Sequence, residues 1–258
     1  MGKIIAITNQ KGGVGKTTTS VNLSGCVAAL GKRTLVIDMD PQGNTTSGLG
    51  VAPTRSSATV YEVLIDGLDP RQAIAKTPVK GLWLLPSDIR LTGAELELVA
   101  RERREYVFKQ AVAALREEYD YIFVDCPPSL GLLTLNVLVG CDSVLVPIQC
   151  EYYALEGVTA LMNTIELVRR QLNPALVIQG VVLTMLDART NLGLQVVDEV
   201  KKHFRSKVYA SVIPRNVRLG EAPSYGLPIH LYDPRSTGAE AYQDLANEFL
   251  ARDGGEKP

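Results

Sequence analysis

The chain has 258 residues, of which 46% are hydrophobic and 21% are charged, and its formal net charge is −1. This length and composition are typical of one large globular domain, and they exclude a disordered or fibrous chain. No apolar run approaches the roughly 20 residues needed to cross a membrane, and the N-terminus has no signal-peptide pattern, so we expect a cytoplasmic protein. Because the overall charge is nearly zero, any nucleic-acid partner must be argued from local charge.

Short apolar runs alternate with longer helical patterns along the chain, which predicts an α/β fold: a doubly wound, mostly parallel sheet with helices on both faces. The predicted strands are Lys3–Thr8, Thr34–Asp38, Leu82–Pro86, Tyr121–Asp125, Ser143–Ile148, Val177–Leu183 and Val208–Ile213. The predicted helices are Thr17–Leu30, Arg103–Glu118, Leu155–Leu172, Leu192–Phe204 and Thr237–Leu250. No repeat or linker divides the chain, so we predict one domain over residues 1–252, followed by a flexible tail at 253–258.

The most informative segment lies between the first predicted strand and the first predicted helix, where residues 11–18 read K-G-G-V-G-K-T-T. A glycine-rich turn at this place leaves backbone N–H groups unpaired at the positive end of a helix dipole, an arrangement that binds phosphate. Lys16 can reach the β- and γ-phosphates of a nucleotide, and the Thr17 hydroxyl can ligate Mg²⁺. The general P-loop pattern has glycine where this chain has Gln10, and this chain adds a second cation, Lys11. Phosphate would neutralise the repulsion between the two lysines.

Other interpretations of the glycine-rich segment fit less well. A dinucleotide fingerprint can be drawn through Gly13 and Gly15, with Asp38 at about the right distance for a ribose. It fails at its third small position, which is Thr18, and it gives Lys16 no role. A purely structural turn is disfavoured by the strand and helix on its two sides. The segment therefore predicts a P-loop NTPase whose ligand is a nucleoside triphosphate with magnesium.

Aspartates follow two of the predicted strands. Asp38 and Asp40 follow the apolar run 35–37, and Asp125 follows the run 121–124. In a doubly wound sheet, ligands bind beyond the carboxyl ends of the strands, where such carboxylates suit the water shell of Mg²⁺ and the orientation of a water molecule. An aspartate at a strand end can simply begin a turn, but the P-loop favours the functional interpretation. The turns at 41–43 and 127–128 are then candidate switch loops that respond to the γ-phosphate.

Six segments together resemble the ParA/Soj family of chromosome- and plasmid-partitioning ATPases, which have a deviant Walker A P-loop. They are the P-loop itself, D-M-D-P-Q-G-N at 38–44, D-C-P-P-S at 125–129, Q-C-E-Y-Y-A-L-E-G at 149–157, T-M-L-D at 184–187 and I-P-R-N-V-R at 213–218. The resemblance covers nearly the whole chain. It implies an ATPase that alternates between a monomer and an ATP-bound sandwich dimer.

The resemblance also implies a role for each matching residue. Lys11 would reach across the dimer to the partner's nucleotide, Asp40 would orient the attacking water, and these two residues with Lys16 would form the catalytic set. Asp38 and Asp125 would support the Mg²⁺ held by Thr17 through water. The residues implied to bind ATP are Lys11, Gly12, Gly13, Val14, Gly15, Lys16, Thr17, Thr18, Met185, Pro214 and Asn216, the last three around the adenine.

The segment 189–218 is basic in a chain of slightly negative charge, with seven Lys or Arg residues and two acidic residues. A basic cluster is often a solvated helix face, but the family resemblance implies nonspecific binding of double-stranded DNA by the dimer. The candidate DNA contacts are Arg189, Lys201, Lys202, Arg205 and Arg218. No motif for reading bases is visible, so we expect no sequence preference. The resemblance further implies a ParB-type centromere-binding partner that stimulates hydrolysis, and association with the nucleoid.

Two other functions share the P-loop. A MinD-like membrane-cycling ATPase needs a basic amphipathic helix at the C-terminus, whereas the last predicted helix carries Glu240, Asp244 and Glu248, which disfavour an anionic membrane. A metabolic ligase or kinase is not excluded by the loop, although the sequence shows no second substrate pocket. The pair Tyr152 and Tyr153 is compatible with a partner-facing patch or with packing, and the sequence does not decide between them.

Overall fold

The computed structural model describes residues 1–54, 56–151, 154–187 and 191–254. Within these ranges seven strands form one sheet in the order β3-β4-β2-β5-β1-β6-β7. All neighbouring strands are parallel except β3 and β4, which confirms the mostly parallel sheet. The strands are β1 (Lys3–Ile7), β2 (Thr34–Asp38), β3 (Ala75–Lys76), β4 (Leu82–Leu85), β5 (Tyr121–Asp125), β6 (Ser143–Gln149) and β7 (Val177–Thr184).

Helices connect the strands. The α-helices in the described ranges are α1 (Lys16–Ala29), α2 (Asn44–Gly48), α3 (Val60–Ile65), α4 (Leu91–Val99), α5 (Val107–Val112), α6 (Leu132–Gly140), α7 (Ala154–Gln171), α8 (Asn191–Phe204), α9 (Val217–Glu221), α10 (Ile229–Tyr232) and α11 (Thr237–Asp253). Short 3₁₀ helices are Pro70–Gln72, Arg104–Tyr106, Ala113–Glu117, Arg205–Lys207 and Ala222–Tyr225. None of the helices in this part of the chain has both the length and the apolar character that crossing a bilayer requires.

The sheet lies between two apolar layers. Ile4 and Ala6 of β1 pack into one layer with residues of α3 to α8, and Ile5 and Ile7 pack into the other with residues of α1 and α11. Successive side chains of a strand point to opposite faces, so a strand covered on both faces must be apolar throughout, as the central strands are. This arrangement leaves the carboxyl ends of β1, β2 and β5 side by side at one edge.

The predicted strand Val208–Ile213 was wrong. The segment runs beside β7 and makes isolated parallel bridges, Val181 to Val208 and Leu186 to Pro214, but it does not become an eighth strand of the described sheet. The Glu248 carboxylate of α11 accepts hydrogen bonds from the backbone N–H groups of Ala210 and Ser211, each at 2.9 Å. A side chain from a distant helix therefore takes donors that a strand ladder would use.

The predicted helix Arg103–Glu118 is broken into three short elements, with α5 between two 3₁₀ segments. Arg103, the first residue of the predicted helix, has a φ of 51°, a left-handed conformation that an α-helix does not contain. At the other end of the chain, Asp253 was assigned to a flexible tail, but it is the last residue of α11 and accepts a hydrogen bond of 2.8 Å from the Tyr121 hydroxyl. The last helix is therefore joined to the central strand β5 up to its final residue.

Candidate nucleotide-binding site

The P-loop forms the turn from β1 into α1. Gly13 has a φ of 73° and Gly15 a φ of 88°, values that favour glycine, and a Cβ at Gly13 would meet no atom of the described residues within 4 Å. Gly15 precedes α1, no side chain caps this helix, and its first turn holds no acidic residue. The first turn thus offers backbone N–H groups to an anion at the positive end of the helix dipole.

Lys16 is the first residue of α1, and the structure buries it to 6% exposure. Its ammonium group donates a hydrogen bond of 3.0 Å to the carbonyl oxygen of Lys11. Burial lowers the pKa of Lys16, while the nearby Asp125 carboxylate acts in the opposite direction. A cation held in this way is stabilised by an anion placed in the adjoining cleft.

A cleft of about 370 Å³ opens beside the P-loop. It is lined by Gly12, Gly13, Gly15, Lys16, Thr17, Thr18, Asp40, Gln42, Asn44, Pro128 and Met185, so both candidate switch loops reach it. A more apolar pocket of about 220 Å³ shares Gly15, Thr18 and Met185 with this cleft. The two cavities are therefore adjacent and share a wall, one of them cationic and the other more apolar.

The apolar pocket contains the three residues predicted to surround an adenine, namely Met185, Pro214 and Asn216. Met185 has a φ of 53°, a left-handed conformation that a non-glycine residue rarely adopts. Asn216 caps α9 by accepting a hydrogen bond of 2.8 Å from the backbone N–H of Arg218. The irregular segment after β7 thus brings these residues to the P-loop without forming a strand.

Asp38 and Asp125 are paired neighbours at the ends of β2 and β5, and both are 0% exposed. Burial raises the pKa of both carboxyl groups, and the charge of Asp125 adds to the effect on Asp38. Hydroxyl donors act against this rise in the pKa of Asp125: Thr17 at 2.9 Å, Ser20 at 3.0 Å and Thr45 at 2.7 Å. The hydrogen bonds therefore hold the carboxylate in a fixed orientation.

Asp40 lies in the cleft at 7% exposure. Its backbone N–H donates a hydrogen bond of 3.1 Å to Oδ1 of Asp38, and its own Oδ1 accepts one of 3.0 Å from the backbone N–H of Gln42. Gly43, with a φ of 63°, closes this turn before α2. The turn directs the Asp40 carboxylate towards the same cleft as Lys16.

The oxygen-rich donor set fits a magnesium ion bound together with phosphate. Mg²⁺ usually takes only one or two protein oxygens and keeps several waters, which carboxylates nearby can bind. Thr17 supplies a hydroxyl that already lies 2.9 Å from Asp125, and Asp38 stands beside Asp125 in the sheet. These residues match the chemistry of a hydrated magnesium site next to a phosphate loop.

Comparison with known proteins identifies relatives of this chain by sequence and by structure. A family model described as an AAA domain matches residues 2–178. The sporulation initiation inhibitor protein Soj of Bacillus subtilis is 62% identical over 97% of this chain and 99% of its own length. The chromosome partitioning protein ParA of Myxococcus xanthus is 50% identical over 100% of this chain and 91% of its own.

This chain belongs to the Soj/ParA family of chromosome-partitioning ATPases. Among solved structures, cobyrinic acid a,c-diamide synthase from Mycobacterium smegmatis, with a bound ATP analogue and magnesium, is 37% identical. The two folds superpose with a TM-score of 0.87 over 100% of this chain and 98% of that one. The fold is therefore that of the P-loop ATPases with a doubly wound sheet.

Two residues that the Soj/ParA resemblance placed at the nucleotide, Val14 and Lys11, line neither the cleft nor the apolar pocket. The Val14 side chain is buried at 1% exposure, and its carbonyl oxygen accepts a hydrogen bond of 2.8 Å from the Thr184 hydroxyl. The Lys11 ammonium group lies 3.8 Å from Oε2 of Glu151. Any contact of Val14 with a nucleotide would therefore be made by its backbone, and Lys11 stands at the edge of the site.

The basic residues that the family resemblance assigned to DNA lie on different elements. Lys201 and Lys202 are exposed in the last turn of α8, and Arg205 follows in a 3₁₀ helix. Lys202 forms an ion pair of 2.6 Å with Glu199. Arg218 lies in α9 and forms ion pairs with two carboxylates, Glu221 at 2.8 Å and Asp233 at 3.4 Å. Arg189 lies outside the described residues, as do Tyr152 and Tyr153.

Apart from Thr17, the hydroxyl groups that bind the carboxylates were not predicted from the sequence; they belong to Ser20, Thr45 and Thr46. Ser20 follows Thr17 at a spacing of three, so both face one side of α1, and this spacing is a signal that could have found Ser20. Thr45 and Thr46 stand next to the segment 38–44 that the family resemblance used, but nothing local assigns one to Asp125 and the other to Asp38. Their roles follow from the three-dimensional arrangement alone.

Proposed function

We propose that this protein is a partitioning ATPase whose ATP-bound sandwich dimer binds double-stranded DNA without sequence preference and is reset by hydrolysis. A ParB-type centromere-binding protein stimulates that hydrolysis, and the cycle segregates a chromosome or plasmid on the nucleoid. The observation that carries the proposal is that Lys16 and Asp40 line one cleft, with the buried pair Asp38 and Asp125 hydrogen-bonded to Asp40 and Thr17 of its lining, in a chain of the Soj/ParA family.

ATP occupies the two adjacent cavities in this proposal, with its phosphates beside the P-loop and its base in the apolar pocket. The Lys16 ammonium and the α1 N-terminus bind the phosphates, and Thr17 supplies a ligand to Mg²⁺, which neutralises phosphate charge when bound. Asp40 orients a water molecule for in-line attack on the γ-phosphate. Phosphoryl transfer needs positioning and charge stabilisation more than covalent participation of the protein, so this small set of residues suffices for a slow ATPase.

The position of Lys11 supports a role in a dimer. Its side chain is 34% exposed and approaches Glu151 at the edge of the site, away from the cleft that Lys16 enters. We place this ammonium against the phosphates bound by a second copy, where it stabilises the charge that develops during hydrolysis. Turnover then depends on dimerisation, in the same way as a GTPase depends on an arginine supplied in trans.

DNA binding in the proposal is electrostatic and depends on the dimer. If three cations of each protomer contact phosphate, the dimer neutralises about six phosphates, and the slope of log affinity against log salt is near −5. Affinity then falls about a thousandfold over a fourfold rise in salt. One protomer supplies about half of these contacts, so ATP controls DNA binding by controlling the population of the dimer.

Two variants separate the steps of the cycle. Lys16→Ala removes the buried cation of the cleft, so we expect loss of ATP binding, of the dimer and of DNA binding. Asp40→Ala removes only the water-orienting carboxylate, so we expect ATP binding to persist and the DNA-bound dimer to accumulate. Normal ATP hydrolysis by Asp40→Ala would show that the catalytic carboxylate is another one.

The decisive measurement is fluorescence anisotropy of a random-sequence DNA duplex titrated with the protein, with and without Mg-ATP. Binding that needs Mg-ATP and weakens steeply with salt supports the proposal. Failure to bind in both states removes the DNA role. A titration at several salt concentrations gives the slope that the phosphate count requires.

A metabolic reaction is the second candidate, because a structure 37% identical to this chain is named as a diamide synthase. The greater identity to Soj, 62%, favours the partitioning function. A membrane-cycling function has less support, since Phe249 of the last helix is 0% exposed and packs in the core. ATP turnover that is indifferent to DNA and to a ParB-type protein would favour the metabolic function.

A further inference from the structure

Thr46, which sequence analysis did not assign to the site, joins three segments beside the cleft. It lies in α2 at 2% exposure. Its hydroxyl donates a hydrogen bond of 2.7 Å to Oδ2 of Asp38, and its backbone N–H donates one of 2.8 Å to the same oxygen. The hydroxyl oxygen also accepts a hydrogen bond of 2.9 Å from the backbone N–H of Ser87, in the loop after β4.

These contacts continue to the residue that faces the cleft. The other carboxylate oxygen of Asp38 accepts the backbone N–H of Asp40 at 3.1 Å. A chain of hydrogen bonds therefore runs from Ser87 through Thr46 and Asp38 to the backbone of Asp40. Because each group in it is almost fully buried, water cannot easily replace a lost partner, and the geometry of one member constrains the next.

We propose that Thr46 is a positioning residue for ATP hydrolysis, one that fixes the Asp38 carboxylate and through it the place of Asp40 in the cleft. This inference rests on the proposed function and adds a residue to it. Thr46 itself does not line the cleft, so it acts through Asp38 and not on the nucleotide. Its neighbour Thr45 makes the equivalent contact with Asp125, at 2.7 Å, so adjacent hydroxyls of one helix each hold one strand-end carboxylate.

The role of the hydroxyl can be separated from the role of the side-chain volume. Thr46→Val keeps the shape and removes the hydroxyl, which leaves the Ser87 N–H without its acceptor and Asp38 with one donor fewer. A displacement of about 1 Å in a catalytic group costs about a hundredfold in rate, so we expect kcat to fall about tenfold to a hundredfold. The KM for ATP should stay within about threefold, because Thr46 contacts none of the phosphate-binding residues.

The controls are a Thr→Val substitution at another buried threonine and further substitutions at Thr46. Thr34→Val is the matched variant, because Thr34 is 0% exposed at the opposite end of β2. Within the described ranges its hydroxyl bonds only the carbonyl oxygen of Lys32, at 3.1 Å. It should hydrolyse ATP like the wild type. Thr46→Ser keeps the hydroxyl and should recover most of kcat. If Thr46→Val does not fold, Thr46→Ser and Thr46→Ala form a second pair, since both lack the methyl group and differ by the hydroxyl.

A double-mutant cycle shows whether the effect passes through Asp40. In the Asp40→Ala background, Thr46→Val should lower the residual rate by less than about twofold, since residues that act as one unit are not additive. The affinity of Thr46→Val for a fluorescent ATP analogue is measured in EDTA and in Mg²⁺. In EDTA this affinity should equal that of the wild type. A wild-type kcat for Thr46→Val, or full additivity with Asp40→Ala, would overturn the inference. Absence of ATPase activity in the wild-type protein would instead refute the proposed function.

Discussion

Phe249 offers a test of how the last helix is held. Its side chain is 0% exposed, and its ring centroid lies 5.4 Å from that of Tyr121 and 5.5 Å from that of Phe123, both on the central strand β5. Truncating a fully buried phenylalanine to alanine costs about 3–5 kcal/mol, which includes the lost aromatic contacts and the cavity. At roughly 2–4 °C per kcal/mol for a protein of this size, Phe249→Ala should lower the Tm by roughly 10 °C.

The measurement is urea unfolding of Phe249→Ala beside the wild type, followed by circular dichroism, with a thermal scan of the same samples. Leu167→Ala in α7 is the control, because that side chain is 55% exposed and its loss should change the free energy of unfolding by less than about 0.5 kcal/mol. A cost below about 1 kcal/mol for Phe249→Ala would show that α11 does not pack on the sheet. That result would reopen the membrane-cycling alternative, which needs a C-terminal helix free to leave the core.

Two further variants test other parts of the structure. A Cβ at Gly180 would lie 2.4 Å from Cε2 of Tyr209, so Gly180→Ala should lower the free energy of unfolding by about 1–3 kcal/mol. A Cβ at Gly220 would meet no atom of the described part of the chain within 4 Å, so Gly220→Ala should leave that free energy unchanged or higher. Equal urea midpoints for the two variants would contradict this packing. Glu221 holds the Arg218 guanidinium at 2.8 Å. Asp233 also pairs with Arg218, at 3.4 Å, so Glu221→Gln removes one of the two carboxylates that hold this guanidinium. We expect DNA binding in the anisotropy assay to strengthen about twofold to fivefold, and unchanged or weaker binding would remove Arg218 from the DNA contacts.

Local patterns were enough to predict the scaffold of the site. The first strand was predicted as Lys3–Thr8 and observed as Lys3–Ile7, and the first helix was predicted as Thr17–Leu30 and observed as Lys16–Ala29. Both follow from apolar runs and glycine positions that are contiguous in sequence. The failure at Val208–Ile213 has a distant cause, because the Glu248 carboxylate that binds its backbone lies more than thirty residues away.

The predicted residues of the site have local sequence signals, whereas the missed residues depend on contacts that are distant in sequence. The motifs identified Asp38, Asp40 and Asp125, because each stands at the end of an apolar strand. They did not identify Thr46, whose partners Asp38 and Ser87 are 8 and 41 residues away in sequence. A buried threonine carries no local signal of its acceptor, since its choice depends on which strand ends the fold brings together. Hydrogen-bonded supports of a site are therefore harder to predict than the residues that face the ligand.

The electrostatics of the site explain how a nucleotide can control the state of the protein. Two carboxyl groups whose pKa values are raised by burial, Asp38 and Asp125, stand beside each other near Lys16, whose pKa burial lowers. Each charged form is thus less stable there than in water, and hydroxyl donors offset only part of that cost. A magnesium ion brings positive charge to the carboxyl groups, and a phosphate chain brings negative charge to Lys16. In the proposed cycle, ATP would therefore bind most strongly to a conformation that assembles these groups around it, and ATP would increase the population of that conformation.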